Sequence, residues 1–226
     1  VKTMRASILV MGPLVAKYGK AKISQPGGCD IGTRPIDFHL SGLEQMGAEI
    51  TSDSKYIYLK AEKLKPISFT FPKVSVTGTE NLMMAATLTK GETKLRNCAK
   101  EPEVFELASY LNSCGAQIQG AGESEIIIQG VDSLSATRWN VLFDRIEAGT
   151  YLVAGAITNG HVKVNKINPK TIEIVIKKLI EMGVKVNIFE DSVEVDATSS
   201  DLKARDIYTE PFPGFPTDMQ AQFMAL

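Results

Sequence analysis

The phrases LEQMGAEI (residues 43–50), LNSCGAQI (111–118) and LIEMGVKV (179–186) decide how this chain folds. Their glycines, Gly47, Gly115 and Gly183, stand 68 residues apart each time. The residues before each glycine align at the same offset: Ile36 with Val104 and Ile172, His39 with Leu107 and Val175, Leu40 with Ala108 and Ile176, Leu43 with Leu111 and Leu179. Within a segment these positions fall at i, i+3, i+4 and i+7, which is one stripe of an α-helix. Pro35, Pro102 and Pro169 stand near the expected helix starts, where a missing N–H costs nothing. The glycines sit where a helix ends in a left-handed residue.

Two β-like runs follow each glycine: AEI and YIYLK, AQI and EIIIQG, VKV and VEVDA. Second helices are expected near residues 80–89, 147–158 and from Asp218 onward. Gly91 and Gly160 are expected to close the first two, followed by strands ETKL and HVKV. Half a unit precedes the first, a helix over residues 3–17 and the strand KAKIS. The fold class is therefore α/β, built of repeated helix and strand units whose helices must pack on sheets to bury their stripes. A half-unit cannot bury its apolar face alone, so the chain reads as a fragment. The polar stretch 135–140, with the only Trp, is the expected domain crossing.

Composition narrows the function classes. The 226 residues are 44% apolar and 23% charged, with 25 Lys and Arg against 26 Asp and Glu. That is the profile of a globular protein, and a net charge of −1 gives no bulk attraction to nucleic acid or anionic lipid. No apolar run approaches the roughly 20 residues of a membrane span, and membrane insertion is not expected. Cys29, Cys98 and Cys114 form no C-x-x-C pair, which argues against a disulfide framework and a zinc site and fits a reducing cytoplasm. GAGESE at residues 120–125 lacks the third glycine and the following helix of a dinucleotide site.

Chemistry concentrates in a few places. The loop SQPGGCDIGTRPID (24–37) surrounds Cys29 with glycine and is longer than its repeat equivalent LRNCAKEPE, as expected of a lid or binding loop. Arg34 would favour a Cys29 thiolate and Asp30 would oppose it. Cys98 and Cys114 lie on repeat landmarks and read as buried, inert thiols. Arg5, Lys22, Arg34 and Lys73 lie near element ends and are each either solvated charges or anion contacts. Lys73 is the stronger case, because KVSVTGTEN brings backbone N–H groups to a helix start. Asp218, in FPGFPTDMQAQ, is either a helix cap or a general base. Glu147 reads as a first-turn charge, Asp144 and Arg145 as a structural pair, His39 as a satisfied, half-buried histidine and His161 as surface.

KTMRAS, PGGCDIGTRPID, HLSGLEQMGA, FPKVSVTGTENLMMAA, DRIEAGT and FPTDMQAQF together resemble the UDP-N-acetylglucosamine enolpyruvyl transferases of the EPSP synthase-like superfamily. The resemblance covers essentially the whole chain and implies that both ends of the family's chain are missing. It implies an inside-out α/β barrel fold with two domains and the active site between them. Residues 1–142 would be most of the Cys-loop, UDP-sugar-binding domain and residues 143–226 part of the other. The implied reaction joins phosphoenolpyruvate to the 3-hydroxyl of UDP-N-acetylglucosamine in peptidoglycan synthesis, in the cytoplasm, with no metal or other cofactor. Carried over by motif, Cys29 is the general acid and the site of a covalent phosphoenolpyruvate adduct, and Asp218 lies beside the sugar 3-hydroxyl. Arg34 contacts phosphate. Arg34, Pro35, Ile36, Asp37 and Phe38 line the UDP-sugar, and Arg5, Lys73, Ser75 and Val76 add contacts to it. Asp30 and Thr77 depart from the family's commonest residues. A rival is the sister activity on shikimate 3-phosphate; another is a repeat-built interaction module without catalysis.

Overall fold

A computed structural model describes residues 4–25 and 36–226, and the chain divides into two compact units, residues 1–140 and 141–226. In the first, α1 (Met11–Tyr18) leads into β1 (Lys20–Ser24). Then come α2 (Asp37–Gln45), the hairpin β2 (Glu49–Ser52) and β3 (Tyr56–Lys60), and β4 (Ser68–Thr70). The buried helix α3 (Val76–Thr87), β5 (Gly91–Arg96), α4 (Pro102–Ser113), β6 (Gln117–Gln119) and β7 (Glu125–Gly130) complete it. The second unit holds α5 (Arg145–Ile157), β8 (His161–Asn165), α6 (Glu173–Glu181), β9 (Lys185–Ile188), β10 (Ser192–Asp196) and α7 (Gln220–Ala225).

One sheet pattern recurs three times, as β1-β3-β2, β5-β7-β6 and β8-β10-β9, antiparallel throughout. A helix connects the two outer strands, and a hairpin returns the chain to the middle. Apolar residues alternate along the middle strands, so that Ile23 faces Ile57, Leu95 faces Ile126 and Val193 faces Val164. All six are buried or half-buried on the face covered by helices. β4 adds to the second sheet, parallel to β5.

The three glycine phrases end their helices identically. The N–H groups of Ala48, Ala116 and Val184 each donate to the carbonyl of Leu43, Leu111 and Leu179, at 3.0 Å in every case. Gly47, Gly115 and Gly183 have φ of +96°, +100° and +96°. This is the double closure of a left-handed helix end, with its apolar pair buried beneath it. Around Gly47 and Gly115 the space for a Cβ is empty, so backbone conformation alone selects glycine there.

Helix α3 is the hub of the first unit and packs against α1, α2, α4, β5 and β7. Leu82, Met83, Ala85 and Ala86 on it are wholly buried, at 0% exposure, which is why the run from Leu82 to Ala86 is apolar at every position. Gly12 on α1 and Gly42 on α2 each lie so close to α3 that a Cβ would overlap Asn81 or Leu82.

Four local expectations change. The first helix is not continuous over residues 3–17: a 3-10 turn, Arg5–Val10, precedes α1. Pro13 can sit only in the first turn of the α-helix, so the regular ladder begins at Met11 and the residues before it wind tighter. α3 begins at Val76, not near Glu80, because Ser75 caps it. The left-handed residue after α5 is Asn159, with φ of +50°, and not Gly160. Three-residue β4 was not expected at all. The crossing segment does carry the Trp against the first unit: Trp139 lies edge-on to Tyr110 and its Nε1 donates to Glu106 at 3.2 Å.

Candidate active site

Of the residues singled out for chemistry, Cys29, Arg34 and Pro35 lie outside the described residues, as does the rest of the loop over residues 26–35. For Arg5 the backbone alone is described, at the start of the first 3-10 turn. The others fall at the starts of three helices or turns. Ile36 is the residue at which α2 begins, Asp37 is its exposed first residue, and half-buried Phe38 packs on the core. Lys73 is exposed just before α3. Ser75 caps α3 by accepting the Gly78 N–H at 3.1 Å, and Val76 opens its first turn and packs on the core.

The cap at Ser75 satisfies one of the orphan donors of a helix start. The first N–H groups of a helix lack partners within it, so an anion at the start of this 12-residue helix would meet backbone donors and the positive end of the helix. Lys73 adds an exposed positive charge on the same approach. Lys22, in contrast, stands in the middle of β1 with its Nζ 4.1 Å from the Tyr56 ring centroid. That contact accounts for it as a cation–π pair.

The structure brings the first turns of α2 and α3 together through His39. Its Nδ1 is 2.9 Å from Asn81 Nδ2 and its Nε2 is 3.3 Å from Thr77 Oγ1. Asn81 Oδ1 in turn accepts the Gly12 N–H at 2.8 Å. His39 is thus satisfied as expected, but buried rather than half-buried, at 4% exposure. The pairing of His39 with Asn81 and Thr77 is not readable from sequence, because the partners lie 42 and 38 residues away.

Asp218 belongs to the second unit, in the 3-10 turn Thr217–Met219 that leads into α7. The capping position there is Pro216, no side chain caps the turn, and the Asp218 carboxylate is exposed. This corrects the cap reading: proline fixes the entry of the chain, and the aspartate is not consumed by the backbone. Asp144 is the cap of α5, accepting from the Ile146 and Glu147 N–H groups at 2.8 and 3.0 Å. His161 is at the surface, 2.6 Å from Glu194.

Cys98 and Cys114 are buried free thiols. Burial pushes the Cys98 thiol up to about 12, against smaller opposing hydrogen bonds from Ile126 and Thr79. It stays protonated and unreactive at neutral pH. Among the described residues, no three His, Cys, Asp or Glu side chains are placed to share a metal ion. Nor is any described helix long and apolar enough to cross a membrane.

Glu80, on α3, is a second feature the sequence did not flag. Burial first, then the charges of Glu103 and Glu101, push its carboxyl from 4.5 to about 7. The folded state therefore holds this proton more tightly than the unfolded chain. Its contribution is fully present below pH 4.5 and is lost as pH rises through about 7. Glu80→Gln should stabilise the protein by about 2 kcal/mol at pH 8, after allowing for partial exposure, and by little at pH 4.5. Urea unfolding at the two pH values measures this; equal effects at both would contradict it.

The family described as EPSP synthase (3-phosphoshikimate 1-carboxyvinyltransferase) matches residues 1–226. The chain is 57% identical over 227 aligned positions to the UDP-N-acetylglucosamine 1-carboxyvinyltransferase of Acidobacterium capsulatum, covering 100% of this chain and 52% of that protein. It is 53% identical to the protein of the same description from Coxiella burnetii, with the same coverage. The chain spans about half the length of the curated relatives it matches. In three dimensions it is similar to the enolpyruvyl transferase NikO from Streptomyces tendae, with a TM-score of 0.78 at 22% identity over 95% of this chain and 52% of that one. It is also similar to an EPSP synthase from Acinetobacter baumannii, with a TM-score of 0.64 at 20% identity over 96% of this chain and 50% of that one. At such identities these two likenesses bear on the fold, which is that of the enolpyruvyl transferases.

Proposed function

This chain belongs to the EPSP synthase family, and from that premise we propose that it forms part of an enzyme that moves an enolpyruvyl group from phosphoenolpyruvate to UDP-N-acetylglucosamine. The single observation that carries the acceptor is the 57% identity, over the full chain, to a relative described by that activity. The product, an enolpyruvyl ether, commits the sugar to peptidoglycan. Free, buried Cys98 and Cys114 fit the reducing cytoplasm where such nucleotide sugars are used. Residues 1–142 serve as the Cys-loop, UDP-sugar-binding domain and residues 143–226 as part of the second domain.

In this reading the Cys29 thiol gives a proton to the CH2 carbon of phosphoenolpyruvate. Positive charge develops at the carbon bearing the phosphate oxygen. The sugar 3-hydroxyl attacks that carbon, and its proton passes to the Asp218 carboxylate. The tetrahedral adduct then loses a proton from its new methyl group and expels phosphate, restoring the double bond. Arg34 steadies the phosphate; Arg5, Lys73, Ser75 and Val76, with Pro35, Ile36, Asp37 and Phe38, hold the UDP-sugar. The exposed Asp218, uncommitted to a cap, supports the base assignment. The satisfied cap at Ser75 leaves backbone donors beside Lys73 and supports an anion there.

Phosphate release from phosphoenolpyruvate by the full-length protein tests the reading. It should require UDP-N-acetylglucosamine and should not proceed with shikimate 3-phosphate; the reverse preference would overturn the acceptor. An epoxide phosphonate of the fosfomycin type should add its mass at Cys29 alone. Labelling at Cys114 would contradict the loop assignment, and labelling at Cys98 would contradict its raised pKa as well.

A further inference from the structure

Thr77 and Asn81 are four residues apart on α3 and share one face. His39 of α2 spans both, one ring nitrogen to each. The protonation of this cluster can be read from its donors. A backbone N–H only donates, so the Asn81 atom 2.8 Å from Gly12 N is the amide oxygen. The other Asn81 atom, its NH2 group, faces His39 Nδ1 at 2.9 Å, and that nitrogen must accept. The ring proton is therefore on Nε2 and points to Thr77 Oγ1. Rotating the amide would set two donors against each other at Gly12, so the tautomer is fixed from the third helix.

The repeat does not need this polarity. The residues at the register of His39 in the next two units are Leu107 and Val175, and Val175 is buried at 2% exposure. A helix of this kind packs with an aliphatic side chain there. What the first unit has in addition is a pair of helix starts that carry the residues assigned to the UDP-sugar: Asp37 and Phe38 on α2, Ser75 and Val76 on α3.

We propose that His39 is a positioning residue that, through Thr77, locks the first turn of α2 to the first turn of α3, so that the two halves of the UDP-sugar surface are held as one. The inference rests on the proposed function above. Asn81 orients the ring, and the Nε2–H to Thr77 bond transmits that orientation across the helix pair. The bond contributes to affinity for the UDP-sugar and not to the phosphoenolpyruvate side of the reaction.

The test compares Thr77→Val, which removes only the hydroxyl, with Thr77→Ser, which keeps it, in the full-length protein. Thr77→Val should raise KM for UDP-N-acetylglucosamine about fivefold, with kcat and KM for phosphoenolpyruvate within about twofold. Thr77→Ser should return KM to within about twofold of the original. His39→Asn, which keeps an acceptor for Asn81 but loses the donor to Thr77, should match Thr77→Val, and the double variant should be no weaker than either. A Thr77→Val protein that melts lower yet keeps both KM values overturns the proposal and leaves a structural bond. If the unaltered protein does not use UDP-N-acetylglucosamine, the functional reading falls and the inference falls with it.

Discussion

Asp218→Asn should lower turnover about a thousandfold while leaving UDP-N-acetylglucosamine binding within about threefold. The asparagine keeps the shape and hydrogen-bonding reach of the carboxylate but cannot take a proton. Two readings of Asp218 stood open in the sequence, and their consequences differ. A helix cap lost to asparagine would cost almost nothing, since asparagine caps as well as aspartate. A lost general base removes an interaction made only as the 3-hydroxyl attacks, so kcat and kcat/KM fall together. The structure removes the cap from consideration, because Pro216 occupies the capping position and no side chain closes that turn. Single-turnover kinetics with a binding titration measures the split. Turnover within tenfold of the unaltered protein would show that another group accepts the proton.

What the sequence made legible was local. The helix ends at Gly47, Gly115 and Gly183 could be placed because a left-handed residue followed by an apolar one is a signal contained in a few positions. The 68-residue offset then carried that signal through the chain, and with it the hairpins after each glycine. What was not legible depends on partners far along the chain. β4 is three residues long and exists only because β5 runs parallel beside it. Nothing in Ser68–Thr70 alone distinguishes it from a loop. The capping choice before Asp218 turned on a proline two residues upstream rather than on the carboxylate. At the candidate site, Ile36, Asp37, Phe38, Ser75 and Val76 sit at helix starts, where local rules apply. The cluster of Gly12, His39, Thr77 and Asn81 joins three helices, and no window of sequence contains it.

That cluster also sets the largest expected effect on stability. Gly12→Ala should destabilise the protein by about 3 kcal/mol. Gly12 lies in α1 with ordinary helical geometry, where alanine is intrinsically the better residue by nearly 1 kcal/mol. Propensity alone therefore predicts a gain. Space predicts the opposite: an added Cβ overlaps the Asn81 backbone oxygen and its side-chain oxygen, and stands 3.2 Å from the Ala85 Cβ. Backbone cannot rotate away as a flexible side chain can, so α1 must move off α3. Overpacking of this kind costs about 1–3 kcal/mol. The displacement also breaks the Gly12 N–H bond to Asn81, and both groups are too buried for water to replace it. A buried donor and acceptor left unmade add about 1–3 kcal/mol more. The sum outweighs the propensity gain severalfold, so the net effect is destabilising. Urea unfolding gives the free energy, and amide exchange at position 12 gives the cause: the N–H should lose its protection in the variant. An alanine variant as stable as the original, with that amide still protected, would mean that α1 and α3 do not approach this closely.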